Sequence, residues 1–570
     1  MIIADTVLLN GKVATVDRNF SFKRAIAVKK GWIIDVGENW EMQAYVGSDT
    51  NIIDLEGKVI LPGIHDAHVH LSDYIDNLHC LDCGRTRIQT LDELRAILSE
   101  RARTLPPGTW IRGTCLESDC LAECREEGRS VTCHDLDPVT PYHPVIITFR
   151  DGHNFLANSK AMEICGITRD TPDLAGEKIG RDEKGELNGI FQEVSALQLI
   201  FSKIPRLTVD EIKNNLVEGQ QLLNSWGYTS YTDCLLGPAN NNRESGASGE
   251  RAIFAYRKLQ EEGLMTARVS LGFYSGQDGK QSYDILKRDL DNFPFPDFPD
   301  RNWLDLRLIK LFCDGLYMTH TAWMKEDYAD DPGRRGKSCF LGPEASDEEQ
   351  EQELRKIIQL VHDRGYQVGI HAIGNRAVKA AVEAIIAAQQ TNPGKSRRHY
   401  LIHGDVLGDR EDLWKAVKHG IGISAQSALA DYNYEIAIER CGLQKGEALM
   451  GLRHLVDMGF HIANGSDAVG GEYGDWRHTV QAAVTRRSRV TGKVHRPDLA
   501  ITVEEAIRQF TMGGAYQEYM EDVRGSIEPG KVADFTVLDR DIFTIDPETI
   551  DQTKIVMTMV DGKVVYRTEL

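Results

Sequence analysis

The apolar run Val59-Ile60-Leu61-Pro62-Gly63-Ile64 leads straight into His65-Asp66-Ala67-His68-Val69-His70, three histidines in six residues. Core packing does not explain that density of imidazole at the end of a strand-like segment. Residues two apart on a strand point to the same side, so His68 and His70 aim at one point. Two neutral imidazoles aimed together form a metal chelate. Pro62-Gly63 marks a turn or bend beside the strand. A histidine-bearing surface loop is the ordinary alternative, and a catalytic metal needs at least one more protein ligand.

The rest of the chain is patterned to supply one. Its middle alternates apolar strands with helical stretches, the pattern of a β/α barrel. Candidate strands are Pro144–Phe149, Thr229–Thr232, Ala267–Gly272, Leu304–Phe312, Gln367–Ile370, Tyr400–His403, Ile421–Ala425 and Phe460–Asn464. Candidate helices include Leu91–Arg103, Val209–Trp226, Gly249–Glu262, Asp347–Arg364, Ala377–Gln389 and Val503–Tyr516. The two ends resemble each other. Residues 6–15 read as a β-hairpin around Asn10-Gly11, and residues 556–566 as one around Asp561-Gly562. The expected fold is therefore α/β: a (β/α)8 TIM-type barrel with a β-sandwich built from both termini. Residues 1–60 plus 518–570 form the sandwich and 61–517 the barrel. Residues 72–200 are too long for a simple crossover and read as an inserted lobe.

Charge and cysteine usage narrow the setting. Lys plus Arg is 66 and Asp plus Glu 86, a formal net charge of −20. That excess argues against nucleic acid or an anionic membrane as partner and suits a cytoplasmic protein. There is neither a basic, apolar N-terminal leader nor a run of about eighteen apolar residues. The eleven cysteines suit reduced thiols better than a disulfide framework. Cys80-x-x-Cys83 and the loose cluster Cys115, Cys120, Cys124 and Cys133 read as structural thiols, with a small metal cluster as the alternative.

In a β/α barrel the active site lies at the C-terminal ends of the strands. Several candidate strands end in metal-capable side chains. Lys310 sits inside the apolar strand Leu304–Phe312, where an ammonium is costly unless paired or chemically changed. A salt-bridged or snorkelling lysine is the commoner outcome for that segment alone. A neutral amine can also take up carbon dioxide and become a bridging carbamate. His371 and His403 end successive strands, and each alone would pass for a satisfied core histidine. Asp467 follows the last apolar strand, where it can ligate a metal and take a proton from water. An N-cap or Asx-turn is its ordinary reading.

The order H-x-H, Lys, His, His, Asp resembles the amidohydrolase superfamily. Within it the chain is similar to the amidohydrolase-3, or YtcJ-like, group, which includes N-substituted formamide deformylases. The similarity spans nearly the whole chain. It rests on Leu61 to His70, Gly152-His153 with Asn158-Ser159-Lys160-Ala161-Met162, and Ile309-Lys310 with Asp314-Gly315. It continues through His371-Ala372-Ile373-Gly374-Asn375, His403, Gly465-Ser466-Asp467-Ala468, and Gly525 to Phe535. The resemblance implies two divalent metals, zinc by expectation. His68, His70 and Asp467 hold the more buried one and His371 and His403 the second, with Lys310 as N6-carboxylysine bridging them. It reverses the local reading of Lys310. Three positions depart from the group. Asn375 stands where Asp is usual, which is expected to weaken support of His371. Ile402 stands where Glu is frequent, and His65 is an extra candidate ligand or substrate contact.

The implied activity is hydrolysis of an amide-type C–N bond, N-substituted formamides included, by metal-activated water. Asp467 is the general base and His153, from the inserted lobe, a substrate contact. Gly152, Asn158 and the stretch Gly180 to Gly189 shape the pocket, and Asp314 orients the site instead of ligating. A cyclic amide, a carbamate or an amino-substituted ring fits the same metal set. A non-catalytic binding or regulatory protein on this scaffold is the other class. The expected partner is a small-molecule amide, and an assembly of identical subunits stays open.

Overall fold

Gly63 is where the chain leaves one sheet for another. The strand before it, Val59–Pro62, belongs to a six-stranded sheet, and the strand after it, Ile64–Val69, opens an eight-stranded one. The computed structural model describes residues 2–568 except 86, 150–153, 173–177, 193–198, 202, 239–248, 277–280, 343, 395–396, 405–408 and 469–473, with the backbone alone at 77 and 178.

The eight-stranded sheet is parallel throughout. Its strands in order are Ile64–Val69, Tyr228–Leu236, Arg268–Phe273, Leu304–Phe312, Gln367–Ala372, Tyr400–His403, Gly422–Ala425 and Ile462–Asn464. Nearly every residue in them is buried, as expected of parallel strands covered by helices. The helices Val209–Ser225, Gly249–Glu261, Asp347–Arg364 and Asn375–Thr391 fall between them in sequence. Asp347–Arg364 starts at a capping box, Ser346 with Glu349, and stops at Gly365 in the left-handed conformation. The expected helix Val503–Tyr516 is a helical run interrupted by a π-turn at Gln509–Gly513. The interruption lies where Gly513 meets the last barrel strand, since a Cβ there would be 2.1 Å from Ile462 O.

Both termini build the sandwich. The C-terminal strand Phe535–Leu538 pairs antiparallel with Val59–Pro62, and Thr6–Leu9 lies in a separate four-stranded sheet. Leu8, Ile26, Ile60, Phe535 and Met557 are among the buried residues of its core. The expected hairpin at Asp561-Gly562 forms, joining Ile555–Val560 to Lys563–Arg567. Both turn residues have positive φ (54° and 71°), as a type I′ turn demands. The expected hairpin at Asn10-Gly11 does not form. Thr6–Leu9 pairs with Ala25–Lys29 and Asn51–Asp54, whereas Lys12–Ala14 crosses to the six-stranded sheet. Leu8 and Val13 are thereby both buried in the shared core, which a flat two-stranded ribbon would not achieve.

The chain divides into two compact units. Met1–Leu71, Ile212–Ala239 and Gly249–Leu570 form one, and Ser72–Glu211 with Asn240–Ser248 the other. The second unit has its own six-stranded sheet and its own core around Leu94, Leu98, Val145 and Leu156. The candidate strand Pro144–Phe149 belongs to it: Val145–Phe149 pairs with Ile111–Leu116 and Asn154–Ala157, outside the barrel. Among the described residues all eleven cysteines are free thiols, and no helix is long and apolar enough to cross a membrane.

Candidate active site

Gly63 also sets the approach of the first two barrel strands. A Cβ there would lie 2.0 Å from Thr229 Oγ1, so a larger residue would push Ile64–Val69 off its neighbour. At the far end of that strand the His68 and His70 rings sit 5.1 Å apart. Their Nε2 atoms lie 3.3 and 3.0 Å from one oxygen of Asp467.

Asp467 arrives from the opposite edge of the sheet. Its amide donates to His68 O (2.7 Å) and the His70 amide donates to Ala468 O (3.1 Å), so the first and eighth strands are tied at their ends. Asp66 reinforces the seam. Its carboxylate accepts from the Ser466 amide (2.9 Å), the Ser466 hydroxyl (2.6 Å) and the His68 amide (3.1 Å). Burial pushes this carboxyl up to about 6.

His371 and His403 end the fifth and sixth strands with ring centroids 4.6 Å apart, and His403 stands 5.4 Å from His68. His403 Nδ1 is 3.9 Å from the second oxygen of Asp467. That nitrogen is buried with no hydrogen-bond partner among the described residues. His403 and Asp467 both adopt positive φ (69° and 54°), an uncommon conformation for residues other than glycine. Strain of this kind persists where the surrounding fold enforces it, and it clusters at functional sites.

Lys310 is 1 % exposed on the fourth strand, with Nζ 4.8 Å from the Phe312 ring centroid. Phe312 in turn packs 4.9 Å from the His371 ring. Asp314 positions the next turn as expected: it accepts from the amides of Trp323 (2.8 Å), Ile373 (3.0 Å) and Gly374 (2.8 Å). Burial raises its carboxyl to about 7.

The family model for the amidohydrolase family matches residues 51–566. The chain belongs to the amidohydrolase family. It is 29 % identical to YtcJ of Bacillus subtilis (strain 168) over 546 residues, 95 % of this chain and 96 % of that one. It is 28 % identical to the N-substituted formamide deformylase of Arthrobacter pascens over 572 residues, 99 % and 98 % of the two chains. Among solved structures, a metal-dependent hydrolase from Pyrococcus horikoshii OT3 superposes with a TM-score of 0.74 at 23 % identity, covering 95 % of this chain and 99 % of that one.

The amidohydrolase handles its departures from the group in its own way. Asn375 does not face His371. Its Oδ1 accepts from the Lys325 amide (2.9 Å) and its Nδ2 donates to Glu326 (3.0 Å). Gly315 O (3.4 Å) and Asp314 Oδ1 (3.9 Å) stand beside His371 Nε2, so the expected weakening of its support loses its basis. Ile402 packs with Cys234, Leu308 and Tyr400. His65 is engaged elsewhere: Nδ1 is 2.8 Å from Ser230 Oγ, and Nε2 is 3.4 Å from Thr232 Oγ1 and Glu518 Oε1. Asn158 is spent on structure too. It caps helix Ser159–Cys165 and bonds Val145, Thr140 and His143, which corrects its assignment to the pocket. His153 and Gly152 lie outside the described residues.

One residue of the cluster escapes the sequence reading. Cys234, on the second strand, places Sγ 3.4 Å from both ring nitrogens of His68 and 4.0 Å from His70 Nδ1. The expected strand stopped at Thr232, but it runs to Leu236, and its pairing with the first strand shifts register between Tyr231 and Asp233, so that Asp233 lies opposite Val69 and Cys234 beside the histidines. A cysteine two residues past a predicted strand end was the available signal.

The donors suit a cation. Burial works to raise Asp467 and Cys234, yet the histidines around them hold both well below their ordinary values. Burial alone would lower His70, but Cys234 and Asp467 outweigh it and raise it to about 10. Burial, with Lys310 adding to it, pushes His371 down to about 3, and burial followed by His371 depresses His403. Two ionised groups, the neutral imidazoles of His371 and His403, and a His70 ring that holds a proton where a cation would sit therefore share one buried space, a donor set that fits zinc once that proton is displaced.

Proposed function

We propose that this amidohydrolase cleaves an amide-type C–N bond, with N-substituted formamides the first substrate class. The observation that carries the proposal is the convergence of His68, His70 and His403 on Asp467 at the C-terminal ends of the barrel strands. In this reading His68, His70 and Asp467 hold one divalent metal and His371 and His403 a second. Lys310, carboxylated on Nζ, would supply a further oxygen ligand. When bound, zinc lowers the pKa of water to about 7 and polarises a carbonyl.

The protein's own groups then have distinct tasks. The Asp467 side chain is 20 % exposed, against 1 % for His68 and 7 % for His70 and His403. It is the member of the cluster that an entering molecule can reach. Asp467 takes the proton of the attacking water and delivers it to the leaving nitrogen. His68 and His70, both within 3.3 Å of its Oδ1, keep it ionised until it does so. Asp314 holds the Ile373-Gly374 turn that follows His371. His153 is proposed as a contact for the substrate carbonyl.

The name and full-length similarity of the Arthrobacter pascens enzyme support a formamide as the first substrate. Free cysteines throughout the described chain support a reducing, cytoplasmic setting. The net charge of −20 favours a small-molecule partner over nucleic acid or an anionic membrane.

Protein prepared with ample zinc and bicarbonate is expected to carry about two metals per chain. It should then turn over members of a panel of N-formyl and N-acyl amines. Less than one metal per chain sinks the binuclear site. Turnover of cyclic amides, carbamates or amino-substituted rings tested beside that panel, with none of its members cleaved, moves the substrate class.

A further inference from the structure

Cys234 is the one side chain of the cluster that neither the H-x-H pattern nor the strand-end series assigns. It lies on the floor of the site, at the boundary between two layers of the barrel interior. Below it are Leu308, Tyr400 and Ile402, an apolar group that includes the cysteine. Above it are the imidazoles. Sγ is 3.4 Å from each ring nitrogen of His68 and 4.0 Å from His70 Nδ1. One ligand atom each from His68, His70 and Cys234 fall within 4.8 Å of one another, and the same is true of His68, His403 and Asp467. The two groups share His68, so the sulfur and the carboxylate flank one imidazole.

Three roles are open to a cysteine so placed. As a nucleophile it would have to meet substrate, but the residue is 0 % exposed. As plain packing it would need no polar partner, yet its sulfur turns to both histidines of the chelate. The neighbouring strand leaves it little freedom, because a Cβ at Gly272 would come within 2.7 Å of Cys234 Cα. The third role is ligation, and the atoms that would share a metal are already gathered.

We infer that Cys234 is a thiolate ligand of the metal held by His68 and His70, which rests on the reading that those histidines hold one. The buried site then has mixed nitrogen, sulfur and oxygen donors. A thiolate selects zinc, cobalt and other softer ions over magnesium and manganese, which carboxylates alone would not do.

X-ray absorption at the metal edge tests this without reference to activity. The full-length protein is loaded with zinc and, separately, with cobalt(II), and excess metal is removed. Zinc-loaded wild type is expected to show a sulfur neighbour at about 2.3 Å beside nitrogen and oxygen neighbours at about 2.0–2.2 Å. The cobalt form is expected to show a sulfur-to-metal charge-transfer band. Cys234→Ser should lose both signatures, and its zinc affinity should fall by more than the about 10–100-fold seen when outer-shell partners are removed. Cys120→Ser, in the separate group Glu117, Asp119 and Cys120, should change neither. Cys234→Ala repeats the comparison should the serine variant misfold. Stoichiometric metal with nitrogen and oxygen neighbours alone in the wild type overturns the assignment whether or not a variant folds. A sulfur signal that survives in either Cys234 variant overturns it too. A protein that binds no stoichiometric metal removes the reading on which the inference stands, which is a different result from bound metal without sulfur.

Discussion

His399 and His403 bracket one strand. His399 precedes Tyr400–His403 at its N-terminal end, and His403 closes it at the other. Both are buried, at 0 % and 5 % exposure, so burial does not tell them apart. Their nitrogens do. His399 Nδ1 accepts the Val368 amide (2.9 Å), which leaves its Nε2 to donate to His362 Nδ1 (2.9 Å). His362 Nε2 then donates to Asn392 O (3.1 Å). Every nitrogen in that pair is committed, and the backbone amide fixes the direction of the relay. At the other end His403 Nδ1 has no hydrogen-bond partner among the described residues and points towards Asp467. A buried histidine belongs to structure when its lone pairs are taken by the fold, and to chemistry when the fold leaves one over.

The comparison breaks most visibly at Asp467, around which the uncommitted nitrogens gather. Asp467→Asn should lower kcat by about 10²–10⁴-fold on the best panel substrate while the circular dichroism stays that of the wild type. Near-wild-type turnover would refute its assignment as the base. Exchanging the two ends of the sixth strand sharpens the contrast. His403→Asn should lose metal and activity with little loss of stability. His399→Asn should lose roughly 1–3 kcal/mol in urea unfolding, because it leaves buried partners unpaired. Its folded fraction should retain activity. The opposite assignment of losses would end the distinction.

The smallest effect is in pH. Burial, with His362 and Arg397, pushes His399 down to about 3. Its folded value lies below the unfolded value of about 6.5, so the unfolded chain takes up the proton first. The stabilisation is complete above about pH 6.5. It drains as pH falls towards 3, by at most about 1.4 kcal/mol per pH unit. Urea midpoints at pH 7.5 and 5.5 should differ less in His399→Gln than in the wild type, and an unchanged difference would remove His399 from the acid response.

Much of the site could be read from local pattern, because its residues sit where a short apolar run stops. His371, His403 and Asp467 each follow such a run, and the i, i+2 spacing of His68 and His70 needs no tertiary information. What the pattern cannot carry is register. Cys234 comes alongside His68 only after a shift in the pairing of the first and second strands, which no single-strand signal records. Asn10-Gly11 and Asp561-Gly562 look alike as dipeptides. One joins paired strands and the other passes between sheets, since the choice is made by the core that Leu8 and Val13 share. Val145–Phe149 has the composition of a barrel strand but is paired within the second unit, because composition reports burial and not neighbours. Asp314 keeps its expected part because three backbone amides choose it, while Asn375 is taken by the Lys325 amide and Glu326.

The seam between Asp66 and Ser466 joins residues 400 positions apart. During synthesis the ribosome makes His68 and His70 early and Asp467 late, so the barrel cannot close, nor the acid meet its histidines, until most of the chain has emerged. Truncated or stalled products would carry His68 and His70 without Asp467, the base proposed to act beside them. The enzyme's activity thus arrives together with the completion of its own fold.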